Sequence, residues 1–234
     1  MNKVQHGFVA LSLLISSFGT QAQVETDSLL SASNNSTHVK FQNYFFEALK
    51  QKALENYSKA IDALVLCKSL NPTESVVYHE LGTNYFKLKQ FENSEFNFQK
   101  AIALDEGNFW YKESLYHLYI EQNRFEDAIL ALKPLLTQHP DYKQDLVNLY
   151  LEAGRYDDAL DVLDDLDKTL GIKASRDKIR NQLYDLSGDE NKRIHHLKKR
   201  LEETPEDPTN FLNLIYAYSN LDQKKEAFET AEAF

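Results

Sequence analysis

The sequence has a single cysteine and little glycine or proline: its 234 residues include 1 Cys, 7 Gly and 5 Pro. One cysteine excludes an intramolecular disulfide and cannot by itself build a zinc or iron–sulfur site. The shortage of glycine and proline excludes a collagen-like chain and argues against a turn-rich all-β protein. The formal net charge of −10 gives no overall attraction to nucleic acid or anionic lipid, so we expect neither as a partner.

Apolar residues are abundant enough to form a core. Hydrophobic residues make up 42% of the chain and include 14 Phe and 13 Tyr, which is too rich for a disordered polymer. With few turn-forming residues to interrupt the chain, this composition favours a protein built from many amphipathic helices.

Residues 1–22 are typical of a secretory signal peptide. Lys3 supplies the positive charge, residues 8–18 form an apolar run with serines, and residues 20–22 form a small-x-small cleavage site. The apolar run is shorter than the roughly 20 residues that a membrane-spanning helix needs. We therefore expect export to the periplasm or the cell exterior, cleavage near Ala22, and no integral membrane segment afterwards.

A regular repeat follows a leader segment. Residues 23–38 have little apolar periodicity and are predicted to form a flexible leader. From residue 39 onwards, an aromatic residue is followed three positions later by a small one. The pairs are Tyr57 with Ala60, Phe91 with Ser94, Phe125 with Ala128, and Tyr156 with Ala159, and the spacings between successive pairs are 34, 34 and 31. Few helical repeat units share this period.

The second repeat shows the pattern most fully. It reads aromatic-x2-Leu-Gly-x2-Tyr and then small-x3-aromatic, with Tyr78, Leu81, Gly82, Tyr85, Ser94 and Phe98 at these positions. In these residues the chain resembles the tetratricopeptide repeat family, whose unit is helix-turn-helix. The resemblance implies an all-α fold: a right-handed α-α superhelix over residues 39–234, with about five and a half repeats. We place the repeats at 41–74, 75–108, 109–140, 141–173, 174–207 and, incomplete, 208–234.

Two repeats depart from the pattern, and the last one stops early. The fourth is three residues short, which predicts a first helix about one turn shorter. The fifth has Asn181 and Arg193 where small residues belong, which predicts a loose joint at residues 168–190. Residues 224–234 stop within a second helix, without the polar capping helix usual in solenoids. We expect either a longer natural chain or pairing of two copies through this open end.

Charged and metal-binding residue types form clusters in the second half of the chain. The adjacent His195 and His196 point about 100° apart on a helix and cannot share a metal, and we expect neither a metal nor a cofactor. The acidic run is Asp157, Asp158, Asp161, Asp164, Asp165 and Asp167; the basic run is Lys192, Arg193, Lys198, Lys199 and Arg200. We interpret both as solvated helix faces, with ion pairing between them or a charged docking site as the alternative. Cys67 occupies a small-residue position and is predicted to be a buried thiol.

The resemblance also implies a binding site. In the family, positions 2, 5, 9, 12 and 13 of each first helix line a concave groove that receives a peptide. The matching residues are Gln42, Phe45, Leu49 and Lys52 in the first repeat, Val76, His79, Thr83, Phe86 and Lys87 in the second, and Trp110, Glu113, His117, Ile120 and Glu121 in the third. Aromatic anchors with a mixed-charge rim suit peptide binding. The alternative is that Trp110 and Phe45 belong to the core.

No motif of an enzyme is present: the sequence has no phosphate-binding glycine loop, nucleophile elbow, HExxH or paired cysteines. We therefore expect a non-catalytic scaffold or assembly factor of a bacterial cell envelope that binds a peptide or partner protein in the groove. Two alternatives stay open. The chain could be the recruiting arm of a larger enzyme whose catalytic domain lies beyond residue 234, or a solenoid that binds glycan or cell-wall polymer along the aromatic groove.

Overall fold

Helices form the regular secondary structure of residues 35–205 and 207–233, the part of the chain that this computed structural model describes. No strand occurs in these two ranges, and the prediction of an all-α repeat fold is confirmed. The helices are α1 (residues 35–53), α2 (Tyr57–Leu70), α3 (Ser75–Lys87), α4 (Phe91–Leu104), α5 (Phe109–Glu121), α6 (Phe125–Leu132), α7 (Lys143–Glu152), α8 (Tyr156–Leu170), α9 (Ala174–Ser187), α10 (Glu190–Glu203), α11 (Pro208–Asn220) and α12 (Lys224–Ala233).

The turns between the two helices of a pair share one backbone conformation in all six described pairs. One residue of the turn has a positive φ, which ends the first helix and redirects the chain into the second. These residues are Glu55, Lys89, Asn123, Gly154, Gly188 and Asp222. Their successive spacings, 34, 34, 31, 34 and 34, match the period read from the sequence. The fifth pair keeps this period even though its small residues are missing.

Helices α3 and α4 approach each other closely at Gly82. A Cβ on Gly82 would lie 2.5 Å from Cδ1 of Phe98, so only glycine leaves room for this ring. The hydroxyl of Ser94 donates a hydrogen bond of 2.8 Å to the carbonyl oxygen of Gly82. The two sequence positions that define the repeat therefore contact each other directly.

The first helix pair encloses the cysteine. Cys67 packs in a buried cluster with Ala48, Leu64, Val77 and Leu81, and its Sγ lies 3.7 Å from a backbone carbonyl oxygen of α1. Burial raises the pKa of the Cys67 thiol to about 11. The prediction of a buried thiol is confirmed, and this thiol is protonated and unreactive at neutral pH.

The shortened fourth repeat has the predicted form. Its first helix α7 has 10 residues, whereas α3 has 13, so about one turn is missing. The preceding connection is irregular: α6 runs into a 3₁₀ segment at Lys133–Thr137, and a second one follows at Pro140–Tyr142. Each segment has a proline in its first turn, where the missing amide hydrogen costs no hydrogen bond.

The leader prediction needs one correction. Residues 35–38, assigned to the flexible leader 23–38, are already helical in α1. Three of these four residues are exposed, so an apolar pattern could not reveal that the helix extends into them. The predicted signal peptide 1–22 lies outside the described residues. In the described ranges, no helix combines the length and apolar character required to cross a membrane.

The described residues divide into two compact units. The first ends at Leu118 and the second begins at Tyr119, so that the division falls within α5. The first unit therefore holds α1 to α4 and most of α5, and the second holds α6 to α12. Each unit carries one candidate site.

Candidate functional site

The predicted groove residues of the second repeat share one face of α3. Val76, His79, Thr83 and Phe86 follow one another at intervals of three or four residues, which places them on one side of a helix. All four are half-buried, and the adjoining Lys87 is exposed. This face of α3 is therefore partly accessible at each of these positions.

The first helices of the first three repeats touch one another in the first unit. Lys52 Nζ of α1 donates a hydrogen bond of 2.6 Å to Glu80 Oε2 of α3. His79 Nε2 of α3 lies 2.8 Å from Ser114 Oγ of α5. Because the Ser114 hydroxyl also donates to the carbonyl oxygen of Trp110 at 2.8 Å, it accepts from His79, whose proton is therefore on Nε2. These contacts join α1, α3 and α5 side by side.

Two of the predicted groove residues, Lys52 and His79, take part in these contacts between helices. Glu80 pairs with the Lys52 ammonium, so that Lys52 is less available to a ligand than the sequence suggested. The His79 ring stacks on Tyr111 at 4.8 Å, and burial lowers the pKa of His79. His79 is therefore neutral at pH 7 and contributes packing rather than charge.

The aromatic residues differ in what they leave exposed. Trp110 at the start of α5 is 65% exposed, which contradicts a core position for it. Phe45 is half-buried, stacks on Phe41 with a centroid separation of 5.9 Å, and packs against the core of the first helix pair. Phe86 is half-buried, and its ring meets Phe91 at 6.0 Å. Trp110 and Phe86 are thus the aromatic surface of the predicted groove, and Phe45 is mainly a core residue.

The remaining predicted residues are at least partly accessible. Gln42, His117 and Glu121 are exposed, whereas Leu49, Glu113 and Ile120 are half-buried. The Thr83 hydroxyl donates to the carbonyl oxygen of His79 one turn earlier on α3. The structure brings together the predicted residues up to His117 in the first unit. Ile120 and Glu121 belong to the second unit.

A cluster of opposite charges with a buried centre lies in the second unit, and its burial was not predicted. Its centre is Asp167 at the end of α8, with only 11% of its side chain exposed. Asp167 accepts hydrogen bonds from Arg176 at 2.6 Å, Arg180 at 3.2 Å and Arg200 at 2.5 Å. Arg180 also binds Asp164 Oδ1 at 2.5 Å. With Asp177, which binds Arg200 at 2.9 Å, three guanidinium groups meet three carboxylates; we call these six residues the Asp167 cluster.

The Asp167 cluster corrects two expectations. The acidic and basic runs are not simply solvated faces: Asp167 and Arg200 lie in the interior, and Arg193 is buried as well. Residues 168–190 are not a loose joint, because α9 is a regular helix whose Arg176 and Arg180 bind the end of α8. The alternative of ion pairing between the two runs is what occurs.

Arg193 occupies a small-residue position of the repeat and hydrogen-bonds to the same backbone carbonyl position that the small residue uses in the second pair. Its Nη2 donates to the carbonyl oxygen of Asn181 at 2.8 Å, twelve residues earlier. Ser94 bonds to Gly82 across the same number of residues and at the same repeat positions. A long side chain in the fifth pair therefore makes the backbone contact that a serine makes in the second. Sequence reasoning missed this because it took size alone as the requirement at these positions.

Beside the Asp167 cluster lies a cleft of about 980 Å³ in the second unit, which we call the charged cleft. Residues of α8 and α10 form its walls, and Tyr184 of α9 contributes to the lining. Its charged and imidazole-bearing lining residues are Asp157, Asp161, Asp164, Asp167 and Lys168 on α8 and Lys192, His195, His196, Lys199, Arg200 and Glu203 on α10.

Two lining residues are strongly affected by burial. The pKa of His196 falls to about 3, first because burial disfavours the charged ring and then because Arg180 and Arg200 repel it. Burial raises the pKa of Tyr184 to about 12. His196 and Tyr184 are therefore both neutral at pH 7. In the described ranges, no group of three His, Cys, Asp or Glu side chains is placed to hold a metal ion.

Comparison with known proteins identifies the repeat. Residues 76–108 match the family model described as Tetratricopeptide repeat. None of the curated proteins compared with the chain matches it. Among solved structures, the chain is similar to one chain of a structure of Naa15/Naa10 bound to HypK-THB, with a TM-score of 0.64 and 17% identity. This match covers 85% of the present chain and 32% of the other, so the present chain spans about a third of that protein's length.

Two further structures are similar. A tetratricopeptide repeat protein from Parabacteroides merdae gives a TM-score of 0.54 and 15% identity over 82% of this chain and 78% of that one. A structure of MamA gives a TM-score of 0.47 and 15% identity over 83% of this chain and 89% of that one. At such identities the likeness concerns the fold alone.

Proposed function

We propose, because the chain is a member of the tetratricopeptide repeat family, that it is a non-catalytic scaffold that binds a peptide or partner protein on the joined faces of α1, α3 and α5. One observation carries this proposal: the predicted groove exposes a tryptophan, Trp110, at a position where a core-forming residue would be buried. The exposed indole of Trp110 on α5 and the half-buried ring of Phe86 on α3 offer a partner the aromatic area that usually dominates binding energy.

The dimensions of the face suit an extended peptide. Helix α3 has 13 residues and is therefore about 20 Å long. An extended chain of about six residues covers this distance at roughly 3.3 Å per residue. Lys87 is exposed at the end of α3 and can attract an acidic group at one end of the bound segment, which selects the direction of that segment.

Replacement of Phe86 and Trp110 by alanine is expected to abolish partner capture. Truncation of a central aromatic anchor to alanine typically weakens the binding free energy by about 2 kcal/mol or more, which corresponds to roughly a thirtyfold loss in affinity. The measurement is quantitative mass spectrometry of proteins captured from envelope extract by the tagged full chain and by the double variant, after circular dichroism has shown equal helicity.

The matched control is Phe96→Ala. Phe96 lies on α4 and is 65% exposed, the same fraction as Trp110, but it is outside the predicted groove. A partner that is lost from the Phe86→Ala, Trp110→Ala variant and retained by Phe96→Ala supports the proposal. Equal capture by all three chains contradicts it, and quenching of Trp110 fluorescence by soluble sugars but not by captured peptides would favour a glycan ligand.

We also propose that the scaffold acts in a bacterial cell envelope, on the strength of the secretory pattern in residues 1–22. If this segment is cleaved after Ala22, the mature chain begins at Gln23. Intact-mass and N-terminal peptide analysis of the protein from fractionated cells tests this. A chain in the cytoplasmic fraction that retains residues 1–22 would contradict export, while leaving the binding proposal unaffected.

A further inference from the structure

We infer that the charged cleft is a second binding surface, and that it takes an extended peptide in which an acidic and a basic side chain are neighbours in sequence. The cleft lies entirely in the second unit and shares no residue with the predicted groove. The inference therefore goes beyond the function proposed above and does not depend on it.

The two walls of the cleft differ in their predominant charge: α8 carries four aspartates beside Lys168, and α10 carries Lys192, Lys199 and Arg200 beside Glu203. Asp157, Asp161 and Asp164 recur at intervals of four and three residues and so form one acidic line along α8. Lys192 and Lys199, with His195 between them at intervals of three and four residues, form a facing line on α10 that carries two ammonium groups. A ligand with charges of only one sign would be repelled by one wall, so the complementary ligand carries both signs.

Ion pairs tie the two walls together at two levels. Lys192 Nζ binds Asp157 Oδ1 at 2.7 Å, and Arg200 Nη2 binds Asp167 Oδ2 at 2.5 Å. The ten-residue interval between Asp157 and Asp167 corresponds to about 15 Å along α8. Asp161 lies on the acidic wall within this interval, opposite the stretch of α10 that carries His195 and Lys199.

The length of the cleft suits a short extended ligand. Over the interval of about 15 Å between the two ion pairs, four or five extended residues span the cleft. Successive side chains of an extended segment point to opposite sides, so adjacent acidic and basic residues would each face the wall of opposite charge.

The test is a selection from a phage-displayed library of random heptapeptides on the full chain, followed by affinity measurements on the enriched peptides. We expect one group of peptides with an acidic residue next to a basic one. Asp161→Lys and Lys199→Glu should each weaken the binding of this group by roughly tenfold, with further weakening at higher salt. The Phe86→Ala, Trp110→Ala variant should bind the same group normally.

Matched controls separate local from overall charge. Lys178→Glu on α9 and Glu202→Lys on α10 make the same charge changes at exposed positions outside the cleft lining, and should leave affinity within about twofold. The inference is overturned if no dipolar peptides are enriched, if the controls weaken binding as much as the cleft variants do, or if every enriched peptide is lost with Phe86 and Trp110. The last outcome would leave the groove proposal standing and remove the cleft.

Discussion

Replacement of Asp167 by alanine is expected to lower the free energy of unfolding of the second unit by about 3–5 kcal/mol. Removal of one partner of a buried ion pair is this costly because the other charge stays buried without that partner. Asp167 receives hydrogen bonds from Arg176, Arg180 and Arg200, whose side chains are 6%, 2% and 4% exposed, respectively. Without this carboxylate, Arg176 loses its ion pair with Asp167, and Arg180 and Arg200 are left with the more exposed carboxylates Asp164, Asp177 and Glu203. Urea denaturation followed by circular dichroism measures the effect as a lower transition midpoint.

Asp161→Ala is the control for this change. Asp161 lies on the same helix and carries the same charge but is exposed, so its removal should alter stability by no more than about 0.5 kcal/mol. Asp167→Asn, which keeps one acceptor oxygen and loses the charge, should fall between the two variants. Equal destabilisation by Asp167→Ala and Asp161→Ala would show that the cluster does not hold the fifth repeat in place.

Acidification is expected to destabilise the protein through His196. In the folded chain the pKa of His196 is about 3, against an ordinary value of 6.5, because the ring is buried beside Arg180 and Arg200. Between pH 6.5 and 3 the unfolded chain therefore binds a proton that the folded chain does not, and stability falls as the pH falls. The loss is about 1.4 kcal/mol per pH unit, or about 2 kcal/mol at pH 5.

The measurement is urea denaturation at several pH values between 7 and 5 for the original chain and for His196→Gln. The variant cannot take up this proton on unfolding, so its stability should decline less steeply with pH. His195→Gln serves as the control, because His195 is the exposed neighbour on the same helix. Parallel pH profiles for the original chain and His196→Gln would contradict the assignment.

The sequence predicted the framework of the fold well because repeat packing follows from residue size and spacing. Gly82 and Ser94 show why: a glycine that leaves room for Phe98 and a serine that bonds to its carbonyl oxygen are direct requirements of a close helix pair. The repeat period could be read from such residues. The positive-φ turns then follow the same period even at Glu55 and Lys89, where the residue type gives no hint of it.

The charges could not be predicted in the same way. Arg200 and Asp167 are 33 residues apart, and nothing in either helix alone indicates that one binds the other. A periodic charged residue normally marks a solvated face, and only the packing of α8, α9 and α10 turns these into interior groups. The same holds in the predicted groove, where Glu80 pairs with Lys52 across 28 residues.

The site prediction succeeded or failed according to how local the relevant contacts are. Trp110 could be placed on an accessible face because its position within the repeat determines which way it points. Phe45 occupies an equivalent face but packs, with Phe41, against the buried cluster of the first helix pair, a contact that the repeat pattern does not specify. The acidic and basic runs that line the charged cleft were visible in the sequence, but the sequence could not decide between a solvated face, ion pairing and a docking site, because the cleft arises between two helices of different repeats.

The most direct test of partner binding on the joined faces of α1, α3 and α5 is site-specific photocrosslinking in cells that produce the full chain. Benzoylphenylalanine is placed at position 117, an exposed groove position that leaves Trp110 intact, or at position 96 on α4. We expect position 117 to give a covalent adduct with a discrete partner protein, and Trp110→Ala to abolish that adduct. Adducts from position 96 alone, or an adduct at position 117 that survives Trp110→Ala, would contradict the proposed binding face.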